Sequence, residues 1–147
     1  MMKTAILFYP FYKEDVRKLQ KAFIDNNITA DIYDVSKSVP DLSRYQRLGI
    51  VTGIYALEKK NAMIKYLQDN LPYDKEIFVV YTYGVYRAGY NQALRKLLAE
   101  RRSIYLGEYG CLGFSSFGPF KVAGNALENA ELEQELKKCA KFIIDLL

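Results

Sequence analysis

The chain has 147 residues, half of them apolar and 26% charged, which is the size and balance of one globular domain (1–147) with enough apolar material for a core. It has no histidine, which removes the usual general base at neutral pH, the Ser-His and Cys-His nucleophile pairs and the commonest zinc ligand, so neither a catalytic residue nor a metal site is expected. The net charge of +4 is mild, and its one cluster, Arg95, Lys96, Arg101 and Arg102, reads as a solvated helix face and not as a nucleic-acid footprint.

Thr4 to Tyr9 is a short apolar run, as expected of a strand buried on both faces. The apolar stretch Ala5 to Tyr12 is broken by Pro10 and has neither the length of a membrane span nor the cleavage site of a secretory signal, so a cytoplasmic protein without membrane contact is expected. From Lys13 to Asn26 the spacing is helical, with Val16, Leu19 and Phe23 on one face. Asn26-Asn27 is a helix stop, because asparagine tolerates the left-handed conformation. Ile28 to Val35 alternates as a half-exposed strand does and suits a sheet edge.

Ser36 to Tyr45, with Pro40, Asp41 and Ser43, reads as a connection with a single helical turn. Arg47 to Thr52 is a buried-type strand ending at Gly53, and a helix over Leu57 to Asn70 turns Met63, Ile64 and Leu67 inward. Lys75 to Thr82 holds the most strand-like stretch of the chain. Arg87 to Arg102 is a helix with Tyr90, Ala93, Leu94 and Leu97 on its stripe, and Ile104 to Gly113 is the fifth strand. After a long loop to Asn125, the last helix uses Leu132, Leu136, Ile143 and Leu147; Asn125 with Glu128 fits a capping pair. Cys111 and Cys139, far apart and outside any C-x-x-C, read as small buried apolar side chains.

Five β-α units in succession imply an α/β fold, a parallel sheet covered by helices on both faces and joined by right-handed crossovers. Five strands favour the order 2-1-3-4-5, which places a ligand outside the carboxyl ends of the strands at the switch between the first and the third. The residues that matter are then 9–13, 52–57, 82–90 and 113–124. No G-x-G-x-x-G follows the first strand, and no G-x-x-x-x-G-K-[ST] occurs, which excludes the dinucleotide and P-loop sites. The third strand ends in Val51-Thr52-Gly53, without the carboxylate a phospho-accepting receiver needs.

Thr52-Gly53-Ile54-Tyr55, Thr82-Tyr83-Gly84 and Gly113-Phe114-Ser115-Ser116-Phe117-Gly118-Pro119-Phe120-Lys121 resemble the ligand loops and late signature of a flavodoxin-like domain family. In that family the last stretch runs close to G-x-D-T-F-G-P-F-K, and seven of the nine positions agree here if x is free. The resemblance implies the three-layer flavodoxin-like fold, non-covalent FMN and one-electron exchange with a redox partner protein. A flavin ring needs flat apolar walls and backbone groups at its polar edge; Tyr55 and Tyr83 are candidates for the walls, and Gly53 and Gly84 for a close backbone approach. The same tyrosines equally suit a role as packing caps on the sheet, since tyrosine is frequent throughout the chain.

The first loop departs from the family. There the form is S-x-x-x-G-N-T, which encloses the phosphate with hydroxyls and N–H groups; here it is Tyr9-Pro10-Phe11-Tyr12-Lys13-Glu14-Asp15, without serine, threonine or glycine. Pro10 offers no N–H, Glu14 and Asp15 are negative where a dianion would sit, and Phe11, Tyr12 and Lys13 are left as its candidate contacts. Two readings stand: an FMN-dependent electron carrier with an altered phosphate contact, or a flavodoxin-like binding or interaction protein that has lost the flavin. The positive net charge leans to the second, because an acidic surface suits basic reductase partners. A catalyst has less support than either, since no pair of carboxylates converges in the loops and Glu108 lies within a strand.

Overall fold

A computed structural model describes residues 3–9, 21–54, 62–83, 92–112 and 129–146. Strand β1 is Thr4–Tyr9, and helical residues 21–25 (α1) end at Asn27, whose φ of 58° places it in the left-handed region. Asparagine reaches that conformation more readily than other side chains, so the helix stops where the sequence says it should. Strand β2 is Asp31–Asp34, followed by a 3-10 turn at Leu42–Arg44 and by β3 at Arg47–Ile54. Helix α2 is Ala62–Asn70, β4 Glu76–Tyr83, α3 Gln92–Glu100, β5 Ile104–Leu112 and α4 Asn129–Leu146.

The strands form one parallel sheet in the order β2-β1-β3-β4-β5, which is the expected topology, with β2 at the expected edge. Ala5, Ile6 and Leu7 of β1 are fully buried, as a central strand covered on both faces requires. One face carries Leu7, Leu48, Ile50, Ile77 and Val79 against Met63 and Leu67 of α2 and Leu94, Leu97 and Leu98 of α3. The other carries Ile6, Phe8, Val51, Phe78 and Val80 against Phe23 of α1 and Cys139 and Ile143 of α4. Cys139 is thus a buried, unpaired apolar filler, as expected; nothing of the Cys111 side chain is described.

Helix α3 differs from its expected stripe. Leu94, Leu97 and Leu98 are buried, whereas Ala93 is exposed. The i, i+3, i+4 set that buries the most apolar surface is centred on the three leucines, and a methyl group yields its place to them. In α2, Tyr66 joins Met63 and Leu67 inside.

The basic cluster is partly structural. Arg101 donates from Nη1 to the Leu71 carbonyl and from Nη2, at 2.6 Å, to the Gln68 carbonyl. Those carbonyls lie at the end of α2, where a helix leaves acceptors without partners and favours positive charge. Arg101 and Arg102 also stack on the Tyr73 ring, at 5.4 and 5.2 Å from its centroid, and Arg102 pairs with Asp74 at 3.0 Å.

At the amino edge of the sheet, Tyr45 donates to Asp31 at 2.6 Å and its hydroxyl lies 2.5 Å from that of Tyr33, which fastens the connection before β3 onto edge strand β2. Burial, then the bonds to Asp31 and Tyr33, hold the Tyr45 phenol well above its ordinary value of 10.0. The folded state therefore favours the neutral phenol. Its contribution is complete below about pH 10 and is lost as pH climbs from there toward the raised folded value. In urea melts at about pH 8 and about pH 11, Tyr45→Phe should lose less stability between the two than the unmutated chain does; an equal loss would mean that Tyr45 does not carry the effect.

Candidate ligand site at the carboxyl edge of the sheet

Strand β1 pairs with β2 on one side and β3 on the other, so the chain leaves the sheet in opposite directions from these two neighbours. A crevice at their carboxyl ends is the geometric result. The last β1–β3 pair is Tyr9 with Thr52. Strand β3 then continues against β4, pairing Gly53 with Thr82 and Ile54 with Tyr83, and β4 continues against β5, pairing Thr82 with Cys111 and Tyr83 with Leu112.

The backbone N–H and C=O groups of Gly53, Ile54, Thr82 and Tyr83 therefore lie in register at the carboxyl edge of the sheet, beside the switch point between β1 and β3. The floor below is apolar: Phe8, Val51 and Val80 are buried on one face, Ile50 and Val79 on the other.

Of the expected site residues, Thr52, Gly53, Ile54, Thr82 and Tyr83 are brought together in register at this edge. Phe11, Tyr12, Lys13, Tyr55 and Gly84 lie outside the described residues, as does the stretch Gly113 to Lys121. Sequence reading ended the third and fourth strands at Thr52 and Thr82 and so placed Gly53, Ile54 and Tyr83 just beyond them, whereas they are the last residues of β3 and β4. Among the described residues no group of His, Cys, Asp and Glu could hold a metal ion, and no helix is long and apolar enough to cross a membrane. Glu108 lies inside β5, as expected, and forms an ion pair with Arg95.

Solved structures of flavodoxins superpose on this architecture over nearly its whole length. Oxidised flavodoxin 2 from Bacillus cereus matches with a TM-score of 0.62 at 12% identity, covering 99% of each chain. Two-electron reduced flavodoxin from Megasphaera elsdenii matches with a TM-score of 0.58 at 11% identity, covering 93% of this chain and 97% of that one. The chain has the flavodoxin-like fold. A third match, the flavodoxin of Fusobacterium nucleatum bound to flavin mononucleotide, has a TM-score of 0.56 at 12% identity and covers 99% of the flavodoxin-like domain and 98% of its own chain. At these identities the likeness is one of fold. An uncharacterized protein of Methanocaldococcus jannaschii is 29% identical over 149 residues, which is 99% of either chain, and no family model matches the flavodoxin-like domain.

Proposed function

We propose that the flavodoxin-like domain binds FMN through the ring and ribityl chain, with an altered phosphate contact, and carries single electrons to or from a redox partner protein. The observation that supports this reading is the switch point between β1 and β3, where the backbone donors and acceptors of Gly53, Ile54, Thr82 and Tyr83 lie in register above an apolar floor. Those are the two things a flat heteroaromatic ring with one polar edge requires. Bound FMN would supply the electron chemistry, and the chain's part is to hold and orient the ring.

The fit is unequal at the two ends of the ligand. For the ring, the support is the backbone of Gly53, Ile54, Thr82 and Tyr83, held in register at the sheet edge. The donor set after Tyr9 does not suit a dianion: Pro10 has no N–H, no hydroxyl of serine or threonine follows before Val16, and Glu14 and Asp15 repel it. That composition favours a second reading, in which the crevice serves as a binding or interaction site without flavin. A fluorescence titration separates them. The first reading expects FMN emission to be quenched at micromolar protein; an unchanged signal at about 100 µM would reject it.

A further inference from the structure

We propose that two copies of the chain associate through β5, edge to edge about a two-fold axis, into one continuous sheet. Among the described residues the two edge strands of the sheet are built differently. Edge β2 has four residues and carries Asp31 and Asp34, the shortness and charge that discourage a strand from pairing with another chain. Edge β5 has nine residues, contains neither lysine nor proline, and exposes Ile104 (58%) and Tyr105 (40%). Its only charge, Glu108, is already paired with Arg95 of its own chain.

The occupant follows from the pattern of faces along β5. A register shift falls where Ile77 pairs with Tyr105 and Phe78 with Gly107, leaving Leu106 as the extra residue of a bulge. Gly107 sits there at φ 142°, which side chains with a Cβ rarely adopt. The bulge breaks the alternation. Tyr105 and Glu108, three apart, both meet Arg95 on the α3 side, the ring at 5.8 Å and the carboxylate by ion pairing. Leu106 and Tyr109 pack on the α4 side, Tyr109 at 5.6 Å from Phe142, and a Cβ on Gly107 would point at the same Phe142 ring.

A two-fold axis perpendicular to the sheet makes the two β5 strands antiparallel and keeps each helix layer on its own side. Residues directly opposite must then share a face. With the bulge in both strands, this holds on either side of the break in one register only, the one with the axis between Leu106 and Gly107. Moving the axis by half a residue or a whole one sets at least one residue of Tyr105 to Glu108 against a residue of the opposite face. In the permitted register Tyr105 lies opposite Glu108 of the second copy, within the reach of Arg95, and Ile104 lies opposite Tyr109. No like charges meet, and the exposed apolar pair is covered. A strand from an unrelated protein would carry no reason to share the break.

Sedimentation velocity on the full chain tests this. The expected particle has twice the 17.0 kDa chain mass, with a Kd below about 100 µM. Ile104→Lys, at an exposed position, should weaken association at least about tenfold while leaving the urea midpoint of the monomer in place, and Tyr105→Lys, which also gives up the contact with Arg95, should weaken it as much. Hydrogen exchange supplies a readout that does not depend on the variants: β5 amides not bonded to β4 should gain protection as wild-type concentration rises. A monomer throughout that range would overturn the proposal, as would a dimer whose affinity neither lysine changes or whose β5 amides show no concentration dependence.

Discussion

Riboflavin is expected to bind the flavodoxin-like domain within about tenfold of FMN, a gap of no more than about 1.4 kcal/mol. A phosphate cradle built from hydroxyls and loop N–H groups makes several charge-assisted hydrogen bonds, each contributing roughly 1.5–3 kcal/mol. Removing three of them costs about 5–9 kcal/mol, or three decades of affinity and more. Between Tyr9 and Val16 the chain offers none of the side-chain donors of serine or threonine, one peptide lacks its N–H at Pro10, and Glu14 and Asp15 oppose a dianion. Lys13 is the one cation in that stretch. Paired titrations by flavin fluorescence give the ratio directly. A hundredfold preference for FMN, on the order of 2.7 kcal/mol, would show that Phe11, Tyr12 and Lys13 form a working anion site. If neither flavin binds, the electron-carrier reading itself is withdrawn.

Gly49→Ala should lower stability by about 3 kcal/mol, at the upper end of what overpacking a core costs. Gly49 lies in the middle of β3, paired with Ile6 on one side and Phe78 on the other. The Phe78 ring crosses over it: a Cβ on Gly49 would stand 2.4 Å from Cζ and 2.6 Å from Cε2. Phe78 is fully buried and is held edge-on to Phe142, with centroids 6.4 Å apart. The ring cannot swing aside without opening the contact to α4. In a urea melt the midpoint should fall with little change in slope. Adding Phe78→Leu should recover part of the loss, a coupling that a double-mutant cycle measures. A Gly49→Ala chain as stable as the wild type would mean that the ring does not lie over β3.

Several features were legible in the residues themselves. Apolar runs located β1 and β3, because a strand buried on both faces has no polar positions to interrupt it, and alternation located β2 at the sheet edge. The Thr4–Tyr9 bounds are those of the sequence reading; β3, β4 and β5 moved by a residue or two, and β2 shrinks from Ile28–Val35 to Asp31–Asp34. There Ile28 bonds to the end of α1 through the Phe23 carbonyl, not to β1. The order of β and α segments was enough for the topology, since right-handed crossovers leave few arrangements of a parallel sheet.

What the residues alone determined about this protein is where each strand and helix runs and which side of each is apolar. Period and propensity are properties of a segment, and they survive whatever the segment packs against. Tertiary structure alone decided which neighbour fills each space: that Gly49 receives the Phe78 ring, that Arg101 serves the end of α2, and that Leu106 is squeezed out between Ile77 and Phe78 so that Tyr105 and Glu108 face Arg95 together. These are pairings between residues distant in sequence, and a one-dimensional pattern of polar and apolar positions does not specify them.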